Sequence, residues 1–137
     1  MRATLLSILW SALMLACGAL PVAAQAQGAM PEMKQAGAGP YVCGGIGSDE
    51  STAMRGAMKS HPLSLLFARA GGAYLANVDV EVKDTSGATA MTLRAGGPVC
   101  LVDLPAGRYT VEAHSDGVTK SESVTLGGEP KTADFRF

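Results

Sequence analysis

Over residues 77–83 apolar and polar side chains alternate without a break. Val78, Val80 and Val82 fall on one phase, and Asn77, Asp79, Glu81 and Lys83 on the other. A period of two is that of a strand with one buried and one wet face. The same phase recurs along the chain: Leu63, Leu65 and Phe67 upstream, then Met91 and Leu93, the run VCLVDL (99–104), and Tyr109, Val111 and Ala113. In VTKSESVTL (118–126) the polar row is Thr119, Ser121, Ser123 and Thr125, and the chain closes on Ala133, Phe135 and Phe137 in register. Turn signals separate these runs: DTSG (84–87), AGGP (95–98), PAG (105–107), SDG (115–117) and GGEP (127–130). Short strands at this spacing predict an all-β antiparallel sandwich of seven strands, with six to eight as the range. The glycine doublets are unequally spaced, so they punctuate turns and do not mark a repeat array.

One helix is expected, over residues 49–59. Ser48 is a candidate N-cap, Asp49 and Glu50 suit the positive end of the helix, and Ala53, Met54, Ala57 and Met58 share a face. The preceding GGIGS (44–48) has the glycine content of a phosphate loop. The two acids in the first turn would repel an anion, however, and no lysine follows the last glycine. The structural reading is therefore preferred.

The first residues address the chain. Arg2 precedes an apolar stretch from Leu5 to Leu15, broken by Gly18 and Pro21, and Val22-Ala23-Ala24 and Ala24-Gln25-Ala26 fit the small-x-small rule. The expectation is a signal peptide over residues 1–24, cleaved after Ala24 or Ala26, and a periplasmic or secreted protein. Cys17 stands where a lipoprotein signal places its lipidated cysteine, but Met14 replaces the usual leucine, and the cleaved signal is favoured. Residues 25–40, rich in Gln, Gly, Ala and Pro, read as a flexible lead-in to a sandwich domain over 41–137.

Cleavage would leave about 110 residues, enough for one domain. Without Arg2, ten basic residues face twelve acids. That mild, dispersed charge gives no electrostatic footprint for nucleic acid. Cys43 and Cys100 would remain, an even pair expected to form a disulfide in an oxidising compartment. There is no C-x-x-C pair to suggest redox catalysis or a zinc knuckle.

The stretch GGPVCLVDLPAGRYTVEA (96–113) carries a further signature. Leu104-Pro105-x-Gly107-x-Tyr109-x-Val111 resembles the strand–turn–strand motif of carboxypeptidase regulatory-like domains, which have a transthyretin-like (prealbumin-like) sandwich. With VDVEVKDTSGAT before it, the resemblance spans about residues 62–137, and GGIGSDESTAMR is similar to the opening of small secreted proteobacterial proteins that carry this domain alone. The resemblance implies a fold and leaves the activity open, because relatives of this fold serve as accessory domains, carriers and adhesin modules. No catalytic residues of those proteins map onto this chain.

The residues themselves yield few chemical constellations. Met54, Met58 and His61, spaced i, i+4, i+7, are candidate soft ligands for Cu(I), with Met30 and Met33 as possible additions. Methionine at this spacing is more often a packing stripe, so no metal is expected. Neither a nucleophile elbow nor a metal-ligand pair is present. An isopeptide would need Asp134 beside Lys83, since the sole asparagine is Asn77. Tyr41 and Tyr74 are the only rings off the core phases, a poor carbohydrate platform. The expectation is thus a non-enzymatic binding or scaffold module without a cofactor. It would meet another periplasmic or cell-envelope protein through an open sheet edge or the 71–76 loop. A copper-binding protein and an unrecognised hydrolase stand as alternatives.

Overall fold

The computed structural model describes residues 30–137. The segment expected to be a signal, its expected cleavage positions and Cys17 lie outside the described residues. Nine strands, one α-helix and one short 3-10 turn follow in the order β1 (Lys34–Ala36), β2 (Gly39–Gly44), α1 (Ser48–Ala57), the 3-10 turn (Met58–Ser60), β3 (Leu63–Ala68), β4 (Val78–Asp84), β5 (Thr89–Ala95), β6 (Val99–Val102), β7 (Gly107–Ser115), β8 (Val118–Leu126) and β9 (Lys131–Arg136). They form a sandwich of two sheets, one ordered β1-β2-β6-β3-β9 and the other β5-β4-β7-β8.

The alternating phases meet between the sheets. Val78, Val80 and Val82, Met91 and Leu93, Tyr109, Val111 and Ala113, Leu63, Leu65 and Phe67, and Ala133 and Phe135 are all buried in one core. The polar rows of β4, β7 and β8 lie on the opposite, wet face of the four-stranded sheet. The larger sheet is covered on both faces, because α1 lays Met54 against Val42, Val99 and Leu101 on its outer side. That second cover explains why all four residues of β6 are buried.

Three features depart from the sequence expectation. Residues 34–40, expected within a flexible lead-in, supply β1 and the start of β2. Gly37, at φ 57°, turns the chain so tightly that a Cβ there would collide with the Ala90 carbonyl, and Ala38 N–H donates to that oxygen at 2.8 Å. This hairpin ties one side of the first sheet to β5 of the second, which brings the strand count to nine. Secondly, β3 and β9 pair in parallel, Leu65 with Ala133 and Phe67 with Phe135, inside an otherwise antiparallel arrangement. The final strand crosses sheets to fill the edge beside β3. Thirdly, Ser48 does not cap the helix. Gly47, at φ 85°, holds the N-cap position, its carbonyl accepts from Ser51 N–H at 2.9 Å, and no side chain caps the end.

Cys43 and Cys100 face each other directly across the β2–β6 pair and are joined by a disulfide. Cys100 is fully buried and the bridge packs into the main core. Its covalent link holds the edge pair β1–β2 to the centre of the sheet.

The turn residues do what their chemistry suggests. Asp84 Oδ1 accepts from Ser86 N–H at 2.9 Å and Ala88 N–H at 3.1 Å, and the Ser86 hydroxyl, followed by these backbone donors, holds its carboxyl below the ordinary value even though burial acts the other way. In the 104–109 turn Leu104 is buried, Pro105 is exposed, and the Tyr109 hydroxyl donates to the Pro105 carbonyl at 2.8 Å. A tyrosine that reaches back to the backbone a few residues upstream closes a strand connection in many sandwiches. Gly107 sits at φ 158°, near the extended limit, where a Cβ would find the Tyr109 ring at an ordinary 3.6 Å.

At the far seam, Glu122 falls on the inward phase of β8, next to β9. An inward charge at a sheet edge discourages pairing with foreign strands. Burial, then the nearby charge of Asp134, raise its carboxyl above the ordinary 4.5, against a backbone hydrogen bond at Asp134. A carboxyl raised in the folded state binds its proton more tightly there than in the unfolded chain. Its contribution is therefore intact below the ordinary value and is lost as pH rises through the folded one. Glu122→Gln is accordingly expected to melt above the wild type at about pH 7 and level with it at about pH 4, checked by thermal unfolding at both values.

Candidate docking surface

Three large apolar side chains stand exposed among the described residues: Ile46, Tyr74 and Val118. Two of them, Ile46 at 65% and Tyr74 at 62%, line one cleft. Its volume is about 320 Å³, and Gly45, Gly47, Leu75, Ala76 and Pro98 complete the wall. Single exposed apolar residues are ordinary on a protein surface, whereas two around a shared concavity form a patch.

Both side chains are held by local structure. Ile46 stands between Gly45 and Gly47 in the β2–α1 loop, and Gly45 N–H donates to Glu50 Oε1 at 2.8 Å. The glycine-rich loop thus uses its acid as an internal clasp, so the residues that resemble a phosphate loop are occupied by their own carboxylate. Tyr74 sits in the loop after β3, which folds back on the strand. Arg69 N–H donates to Ala73 O at 2.7 Å, Leu75 N–H to Phe67 O at 3.2 Å, and Tyr74 bridges Ala68. The Arg55 guanidinium of α1 lies 5.2 Å from the Tyr74 ring centroid, a cation–π distance that steadies the exposed ring.

The other candidates are distributed differently. Met54 and Met58 join Met30 and Met33 in the satellite core beneath α1, with Met54 fully buried. His61 sits beyond the helix end, where its Nδ1 lies 2.6 Å from Asp103 Oδ1 and pins the start of β3 to the segment after β6. Lys83 is 3.3 Å from Glu112, and Asp134 pairs with Arg136 at 3.0 Å, so each prospective isopeptide partner has another ion pair. Tyr41 is half-buried against the main core and does not join Tyr74 on an exposed platform.

A second cleft, of about 460 Å³, lies at the end of the wet sheet face and is bounded by Arg69, Asn77, Asp79, Arg94, His114 and Asp116. Its charges pair among themselves: Arg94 with Asp79 at 3.1 Å and Arg69 with Asp116 at 3.9 Å. Both pairs are solvent-exposed and contribute little to stability.

The sequence pointed to the 71–76 loop but not to Ile46. A lone isoleucine among glycines carries no periodic signal, and only the folded loop shows it exposed. No family model matches the chain, and comparison with curated proteins finds no match.

Proposed function

We propose that the chain is a secreted or periplasmic, non-enzymatic module of the carboxypeptidase regulatory-like kind, which docks a cell-envelope protein through the Ile46–Tyr74 cleft. The observation that carries this reading is the cleft itself, in which two exposed apolar anchors are fixed by a clasped loop and a cation–π contact. Aromatic anchors in pockets dominate binding energy at interfaces. Burying an exposed isoleucine is worth about 1.5–3 kcal/mol, and a tyrosine brings comparable area with a polar tip. The cleft is small beside a standard interface of roughly 1,600 Å², so it serves as the anchor of a larger contact. The disulfide suits an oxidising compartment. The Tyr109–Pro105 hydrogen bond supports the resemblance carried by Leu104, Pro105, Gly107 and Tyr109.

Ile46→Ser and Tyr74→Ser together are expected to leave the melting temperature near that of the wild type, since both side chains are exposed, while abolishing capture of the partner from the cell envelope. Val118→Ser, at the third large exposed apolar residue among those described, serves as the control. Capture that survives the double change and fails with Val118→Ser would move the docking surface to the β8 edge.

A further inference from the structure

We propose that Glu81, Glu112 and His114 form a binding site for a late first-row divalent ion, independent of the docking surface. The β4–β7 register places Glu81 directly opposite Glu112, and His114 follows two residues along β7, so all three project from the same wet face. One donor atom from each lies within 4.8 Å of the others. An ion equidistant from three atoms at that outer spacing would stand ~2.8 Å from each, ~0.7 Å beyond a zinc–oxygen or zinc–nitrogen bond. Small rotations of two flexible glutamates close that gap.

Three observations give the cluster the character of a site. Like charges directly opposite one another in a sheet are unfavourable, and here two carboxylates occupy such a pair. The Lys83 ammonium, 3.3 Å from Glu112 Oε2, and the Thr89 hydroxyl, which donates to Glu81 Oε1 at 2.7 Å, hold them in place. The imidazole is oriented as well: His114 Nδ1 lies 2.7 Å from Thr119 Oγ1. With Nδ1–H donating to that hydroxyl, Nε2 presents its lone pair, the arrangement that fixes a metal-binding histidine.

The donor set selects the ion. Calcium and magnesium favour all-oxygen shells, whereas an imidazole with two carboxylates and no thiolate suits Zn²⁺ or Cu²⁺. Three protein donors leave coordination positions open, as in sites where a metal meets a further ligand. His114 also lines the cleft of about 460 Å³, which puts such a ligand within reach of Arg69 and Arg94. Nothing in the sequence joins Glu81 to the Glu112-x-His114 pair, because strand register alone brings them together.

Calorimetric titration of the chain with Zn²⁺, and separately with Ca²⁺, tests the site, with folding of each variant checked by thermal melting. One Zn²⁺ per chain at micromolar affinity, preferred over Ca²⁺, is expected. His114→Ala and Glu81→Gln should weaken binding at least about tenfold, and Thr119→Ala should weaken it through the loss of its hydrogen bond to the imidazole. Lys83→Met should tighten it, since the ammonium competes with the ion for Glu112, and a merely structural role for Lys83 gives no such gain. His61→Ala should bind as the wild type does. Absence of Zn²⁺ binding, equal binding of Ca²⁺, or His114→Ala binding at wild-type strength would overturn the proposal.

Discussion

Replacing Phe135 by alanine is expected to remove about 3–5 kcal/mol of stability, the usual cost of truncating a buried phenylalanine. The side chain is 1% exposed, and its ring lies 5.7 Å from that of Phe67 with the planes 17° apart. Those two residues are register partners in the parallel β3–β9 pair, so the change opens a cavity at the point where the last strand crosses to the first sheet. The neighbours cannot collapse freely into it, because Leu65 and Ala133 are themselves fixed by the same ladder. Domains of this kind hold about 5–15 kcal/mol in all, so the variant would lose roughly a fifth or more of its margin. Urea unfolding followed by near-ultraviolet circular dichroism measures the loss. Phe67→Ala should behave alike, and the double change should fall short of the sum by about 0.5–1.5 kcal/mol for the aromatic pair.

Removing the disulfide ranks second. Cys43→Ala with Cys100→Ala is expected to cost about 2–5 kcal/mol, the usual loss when a small domain is stripped of its disulfide. The residues are separated by 57 positions, and closing such a loop in the unfolded chain is worth about 4 kcal/mol in the chain-entropy account. The native sheet changes little, because Tyr41, Val42 and Gly44 keep their pairings with Val102, Leu101 and Val99. Comparing denaturant midpoints of the wild type with and without reductant, and of the double variant, checks this. The reduced wild type and the double variant should agree, and a native chain that shows two titrating thiols would refute the bridge.

The strands legible in the sequence are those with one wet face. In β4 the alternation of Val78, Val80 and Val82 with charged residues reports its position directly. In β6 the signal is faint because Val99 and Leu101 face α1 while Cys100 and Val102 face the main core, so no polar phase survives. Strand β2 was invisible. Gly39, Pro40 and Gly44 argue against a strand locally, and its identity comes from β6 and the disulfide. The parallel β3–β9 pairing likewise lies outside local patterning, since alternation fixes which face is buried but not which strand is the neighbour.

The candidate sites divide the same way. Tyr74 stood out because it fits no core phase. Ile46 and Glu81 did not, because one lies in a loop without periodicity and the company of the other depends on register. Met54 in α1 and Met58 in the 3-10 turn that follows it pack in one apolar cluster, to which the structure adds Met30 and Met33.

The docking reading is tested most directly by placing a photo-crosslinking residue at position 74 and, in a second chain, at position 125 on the wet face of β8, then irradiating intact cells that export each. A discrete adduct with one envelope protein is expected from position 74, lost when Ile46 is changed to serine, and no such adduct from position 125. An adduct formed from position 125 and not from position 74 would contradict it.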